Sequence, residues 1–362
     1  MSAFNIRLPR LSRGLVLAGV LAAACSSAWA DRTVTDQLGR EVTIPDKVDR
    51  VVTLQHQTLN LLAQLDASDK VVGVLSSWEK NLGPGFVHLM PSVKDEPMPG
   101  DLTSVNIESL AKLKPQVVFV ANYAPKEMID QITQAGIPVI GISLRRVEGD
   151  KNALNPDLKK QEDAVYTDGL YDGIRLIADV VGRQKNAEEL IAYVKQNRRK
   201  VEERLKDVRP EDRVRTYIAN PNLVTYGSGK YTGVMLERAG AENVAAKTVK
   251  GYKPVSIEQV VGWNPSVIFV QNRYPSVVGE ILSDPKWKVI DAVRNKRVYL
   301  MPEYAKAWGY SEPEALAIGE LWLAKKLYPE HFKDIDMNKE AQTYYGKFYR
   351  TTYEPSPDEV RN

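Results

Sequence analysis

The chain has 362 residues, 43% of them hydrophobic, enough for two ordinary domains with separate cores. Its 49 basic and 46 acidic residues nearly cancel, and no basic run is interleaved with aromatics, which argues against nucleic acid as a partner. A single cysteine, Cys25, excludes a disulfide framework and a cysteine-ligated metal.

The first thirty residues read as a secretory leader. Arg7, Arg10 and Arg13 precede a short uncharged apolar run, Gly14 to Ala24, and Ala28-Trp29-Ala30 supplies a small-x-small cleavage site. The apolar run is too short to remain as a spanning helix. Removal of residues 1–30 also removes the three arginines and leaves 46 basic against 46 acidic residues, a formally neutral mature chain. The stretch Leu21 to Cys25 loosely resembles a lipoprotein box, with Ala22 where leucine is usual, so lipidation at Cys25 is the alternative to cleavage after Ala30.

RTVTDQLGREVTIP then forms a hairpin turning at Leu38-Gly39. Strands are predicted near 50–54, 71–75, 117–121 and 138–143, with helices starting near Thr58, Asn106 and Pro125. From about Asp163 to Asp207 the pattern is helical, with Leu170, Ile174, Ile177, Val181, Leu190, Ile191 and Val194 as an apolar stripe. Beyond it strands fall near 213–219, 266–271 and 297–301, and helices near 232–239 and 256–262. Strand–helix alternation of this kind is an α/β fold with parallel sheets covered by helices.

The two halves repeat each other. Residues 105–120, VNIESLAKLKPQVVFV, and 255–270, VSIEQVVGWNPSVIFV, share Val, Ile-Glu, Pro, Val, Phe and Val in register. The expected organisation is a leader (1–30), an α/β lobe (31–160), a single long interlobe helix (161–208), a second α/β lobe (209–330) and a helical extension (331–362). Two such lobes form a clamshell with a ligand cleft between them.

Ligands of doubly wound sheets sit beyond the carboxyl ends of the strands. Residues at those ends give the candidate lining: His56, Trp78, Tyr123 and Arg145 from the first lobe, and Tyr226, Tyr252, Arg273, Tyr274 and Trp308 from the second. Aromatics with polar tips beside three arginines, Arg146 included, suit a flat ligand with peripheral negative charge, or a bare oxyanion. His56 is weighed either as a metal ligand or as a hydrogen-bonded histidine at a helix start. Enzyme motifs fail: in Tyr226-Gly227-Ser228-Gly229-Lys230 the lysine is followed by Tyr231, which is no phosphate loop, and Tyr226 stands where a nucleophile elbow needs glycine.

The segments TDQLGREVTIPDKVDRVV, NIESLAKLKPQVVFV, YGSGKYTGVMLERAGAENV and VSIEQVVGWNPSVIFV, in that order, resemble the periplasmic binding proteins of ABC importers for iron–siderophore, haem and cobalamin. The resemblance implies two Rossmann-like lobes bridged by a rigid helix, a binding protein and not an enzyme. It also implies a monomer with no cofactor of its own, located in the periplasm, whose partners are a permease dimer and its ATPase. It places Trp78, Tyr226 and Tyr252 at aromatic cleft positions, and Glu108 and Glu258 at the permease-docking positions of the two lobes. The expected cargo is a metal chelate, first a ferric siderophore with Fe(III). Molybdate or tungstate is the competitor on the strength of the C-terminal extension, followed by haem or cobalamin. A chelatase-like enzyme or metal chaperone is the remote reading.

Overall fold

The computed structural model describes Met1, residues 30–146 and residues 162–360. The leader and Cys25 therefore lie outside the described residues. Among those described, no helix is long and apolar enough to cross a membrane.

The chain builds two four-stranded parallel sheets with the same topology. In the first, the strands run in the spatial order Val71–Val74, Val51–Thr53, Val117–Ala121, Val139–Ile142. In the second the order is Ala241–Asn243, Val214–Ala219, Val267–Val270, Val298–Leu300. Each sheet thus places its first strand between its second and third, with the fourth outside. The strand Ala241–Asn243 is missing from the sequence-based reading because three residues carry no periodic signal.

These strands are buried on both faces, as parallel sheets require. Val117, Phe119, Val267 and Phe269 point into one core that runs through both lobes. Their neighbours Val118 and Val120 face a separate outer cluster in the first lobe. Ile268 and Val270 do the same in the second. The pleat thus splits one apolar run between an inner and an outer layer.

The repeat extends to its helices. Asn106 caps Ile107–Lys112, its side chain accepting from the Ser109 amide at 2.8 Å. Ser256 caps Ile257–Trp263 in a capping box, with Gln259 Oε1 accepting from the Ser256 amide at 2.9 Å. Each cap contributes about 1 kcal/mol. In both copies the glutamate is exposed and the residue two places on, Leu110 or Val260, is buried.

The expected single long helix is corrected to two, Glu162–Val181 and Gln184–Leu205. Gly182, at φ 67°, takes the left-handed conformation that ends the first helix, and the second folds back along it. The stripe from Leu170 to Val194 is real, but it is the seam of a helical hairpin. Both helices span the lobes. The first begins at the second lobe, where Glu162 accepts from the Gly229 amide at 2.8 Å, and ends at the first, where Arg32 donates to Asp179 at 2.6 Å. The return helix starts against the first lobe, with Asn186 donating to the Leu65 carbonyl at 2.8 Å, and finishes where Arg204 pairs Asp334 at 2.6 Å. Near the C-terminus the helix Met337–Phe348 buries Tyr344, Tyr345 and Phe348 in the shared core.

Candidate ligand cleft

The carboxyl ends of the two sheets face each other, and two clusters of side chains meet there. The first surrounds Trp308. The Arg273 guanidinium carbon lies 4.4 Å from the Trp308 ring centroid and Lys306 Nζ lies 4.6 Å from it, while Trp308 Nε1 donates to Asn272 Oδ1 at 3.3 Å. Tyr226 and Tyr252 stack with centroids 4.4 Å apart, and Gly309 lies so close to Tyr226 that a Cβ there would stand 3.1 Å from its ring. Tyr226, Tyr252 and Tyr274 all act electrostatically on Arg273. Arg273 Nε has no hydrogen-bond partner although it is buried.

His56, the first residue of the helix His56–Gln64, approaches this cluster from the other lobe. It is partly buried, with its Nδ1 enclosed. Burial, reinforced by Arg273 and Lys306, pushes its pKa down to about 3, so the ring is neutral. Its Nδ1 has no hydrogen-bond partner. Two neighbouring cations oppose a metal ion as they oppose the proton. Among the described residues no three His, Cys, Asp or Glu side chains converge as a metal cage.

The second cluster forms around Arg145, which is 3% exposed. The bridging helix packs so tightly there that a Cβ on Gly169 would fall 2.0 Å from Arg145 Cα. Burial and the Arg145 guanidinium push the Lys230 ammonium down to about 8, and its Nζ sits 5.4 Å over the Tyr310 ring. Tyr310 also acts on Tyr123 of the first lobe, which joins the clusters. Burial raises the phenols of Tyr123, Tyr166, Tyr226 and Tyr310 above their ordinary value, so all four stay protonated donors. The one carboxylate acting on His56 and Tyr123 is Asp101. Burial opposes its ionisation, but hydrogen bonds from Ser77, the Leu102 amide and Ser76 outweigh this and hold it below its usual range.

Eight of the nine expected lining residues thus fall into two adjoining groups: Arg273, Tyr226, Tyr252, Tyr274, Trp308 and His56, then Tyr123 and Arg145. Trp78 is 5% exposed and packs in the first lobe's core with its ring 6.4 Å from Phe86. Glu108 and Glu258 are exposed on the capped helices, away from both clusters. Lys230, Lys306, Tyr310 and Asp101 escaped the sequence-based reading. The signal for Lys230 was present in the glycine-flanked turn before a helix. That turn is fixed by Gly227, whose Cβ would meet the Val249 carbonyl at 1.7 Å.

Matched parallel sheets, a helical span between them and a polar cleft at the strand ends define a two-lobed solute-binding protein. Residues 51–305 match the family described as periplasmic binding protein. The chain is 58% identical over 344 residues to the molybdate-binding protein MolA of Haemophilus influenzae, covering 95% of this chain and 98% of that one. The solved structure of MolA bound to molybdate superposes with a TM-score of 0.85 at 59% identity, over 90% of this chain and all of that one. An uncharacterised ABC transporter substrate-binding lipoprotein of Bacillus subtilis, YvrC, is 26% identical over 88% of this chain and 97% of its own. A periplasmic solute-binding protein of Veillonella parvula, 24% identical with a TM-score of 0.74 over 92% of this chain and 96% of that one, shares the fold. The chain belongs to the periplasmic binding protein family, and it is a binding protein rather than an enzyme.

Proposed function

We propose that the protein captures molybdate, or the similar tungstate, and delivers it to an ABC importer. The observation that carries this reading is the cationic, donor-rich cleft, in which Arg145, Lys230 and Arg273 stand beside protonated tyrosines. A small tetrahedral dianion needs fixed N–H and O–H donors around it, and charge-assisted donors are the strongest available. The 58% identity to a molybdate-binding protein supports the same choice.

The ferric siderophore, the cargo expected first from sequence, is less well served. A bulky octahedral chelate needs broad open contact surface, whereas Tyr226 is covered by Tyr252 and Gly309 and Trp308 by Arg273 and Lys306, which leaves Tyr252 as the exposed aromatic of the cluster. Calorimetric titration of the mature protein tests this: molybdate and tungstate bind, while sulfate and a ferric siderophore do so at least about a hundredfold more weakly. Tight ferric-siderophore binding without molybdate binding overturns the reading.

The same proposal includes export through residues 1–30 into the periplasm. It also includes docking on a permease through Glu108 and Glu258, which occupy equivalent exposed positions on the two lobes. Two carboxylates at matched points give both orientation and electrostatic steering toward basic partners.

A further inference from the structure

Behind Trp308 lies a buried polar network that no part of the cleft reading uses. Lys306 has no exposed side-chain surface, yet its ammonium pairs Glu303 at 2.5 Å and Glu314 at 3.4 Å. Its backbone takes φ 39°, a left-handed value that non-glycine residues seldom adopt and that persists only when its surroundings enforce it. Burial and the neighbouring Glu314 push the Glu312 carboxyl well above its usual range.

The remaining partners come from two distant parts of the chain. Asn60 Nδ2 donates to Glu312 at 3.1 Å and to Glu314 at 2.9 Å, and Gln64 Nε2 donates to Glu314 at 3.0 Å. His56, Asn60 and Gln64 are four residues apart on one helix, so the face that presents His56 to the cleft continues into the network. The C-terminal segment closes it. Tyr345 donates to Glu303 at 2.5 Å, Tyr349 to Glu314 at 2.8 Å and to Asn60 at 2.7 Å, and Tyr344 to Gln64 at 2.5 Å.

We propose that these C-terminal tyrosines are positioning residues for the cleft. Through Glu303 and Glu314 they fix Lys306, and through Lys306 they fix the Trp308 ring on which Arg273 stacks. Through Asn60 and Gln64 they also fix the helix that presents His56. The segment after residue 336 is then a second tie between the lobes, acting on ligand affinity without touching ligand. An unpaired buried acceptor is costly, and a half-satisfied network rearranges until its members are paired again. Loss of one hydroxyl therefore moves Lys306, and Trp308 with it. The affinity part of this proposal rests on the oxyanion reading, whereas the positioning of Trp308 can be read without ligand.

The test uses the mature full-length protein and its Tyr345→Phe, Tyr349→Phe, Tyr344→Phe and Phe348→Leu variants. Molybdate affinity is measured by calorimetry. Acrylamide quenching of Trp308 is obtained by subtracting the emission of a matching Trp308→Phe protein. Phe348 packs against Tyr193 and Tyr344 but makes no bond in the network, so its variant reports loosening of the helix alone. The expected result is about a tenfold loss of affinity and greater quenching for Tyr345→Phe and Tyr349→Phe. Tyr344→Phe, one bond further from Lys306, gives a smaller change in the same direction. Phe348→Leu lowers Tm and leaves both readouts unchanged. Affinity and quenching within twofold of wild type in Tyr345→Phe and Tyr349→Phe overturn the proposal, as does an equal effect of Phe348→Leu. If wild type takes up no molybdate, the oxyanion reading fails and quenching alone decides the positioning role.

Discussion

Burial, with Arg273 and Lys306 close by, holds His56 far below the ordinary imidazole range, at about 3. Above pH 6.5 neither the folded nor the unfolded chain charges this ring, and it has no effect on stability. Between pH 6.5 and about 3 the unfolded chain binds a proton that the native protein refuses, so stability falls by about 1.4 kcal/mol per pH unit from this group alone. Thermal unfolding of His56→Gln between pH 4 and 7 should show a shallower decline than wild type; parallel curves would contradict this account. Lys230 titrates at the other end. With its pKa depressed to about 8 by burial and Arg145, it carries charge at neutral pH and loses it just above. Molybdate is fully ionised throughout that range, so affinity should drop as pH rises from 7 to 9, and Lys230→Met should abolish the dependence. Arg273→Ala removes a buried charge-assisted donor and is expected to weaken binding by one to two orders of magnitude, corresponding to about 1.5–3 kcal/mol. Titration of that variant, with its Tm, separates the binding loss from unfolding.

At the scale of elements, the tightest constraint is the contact between the first spanning helix and the strand-end loop at Arg145. Gly169→Ala drives a methyl group into the Arg145 backbone, which cannot give way like a side-chain tip. About 1–3 kcal/mol of destabilisation is expected from such overpacking, together with weaker binding because Arg145 moves. A methyl accepted with neither change, by unfolding and titration, would mean the helix is looser than described. Elements of this kind were unevenly legible in sequence. The buried runs Val117–Val120 and Val267–Val270 and the helix starts at Asn106 and Ser256 stood out, because apolar period and cap chemistry are local signals. The break at Gly182 did not, since the apolar stripe continues through it and periodicity cannot tell one long helix from a hairpin. The packing of Trp78 on Phe86 was not legible for a related reason: its position after a strand is a local signal, whereas its neighbour is set by tertiary structure.

At the scale of the whole molecule, the internal repeat predicted two lobes, and the matching strand orders of the sheets bear it out. The cleft was legible wherever a strand end carried an aromatic or an arginine. The network behind Lys306 was not, because Asn60 and Gln64 lie more than two hundred residues from the glutamates and tyrosines they bond. Glu108 and Glu258 yield a prediction that belongs to this scale. Reversing both to arginine should leave ligand affinity unchanged and lower Tm only slightly, since Glu108 makes an exposed pair with Lys112, worth about 0.3–0.5 kcal/mol, and Glu258 is an exposed first-turn acid bonded to its own cap Ser256. Uptake through a reconstituted importer should nonetheless collapse, and normal uptake by the double variant would remove the docking role.

The hairpin of helices between the lobes carries a mechanical corollary. A lone rod flexes and twists about its own axis, but two antiparallel rods packed along a shared seam resist both. The halves are then braced, and cargo must enter by side-chain rearrangement at the mouth. Small-angle scattering curves of empty and loaded protein should therefore superimpose, and a permease docked at Glu108 and Glu258 would sense occupancy from local detail rather than from a change in their spacing.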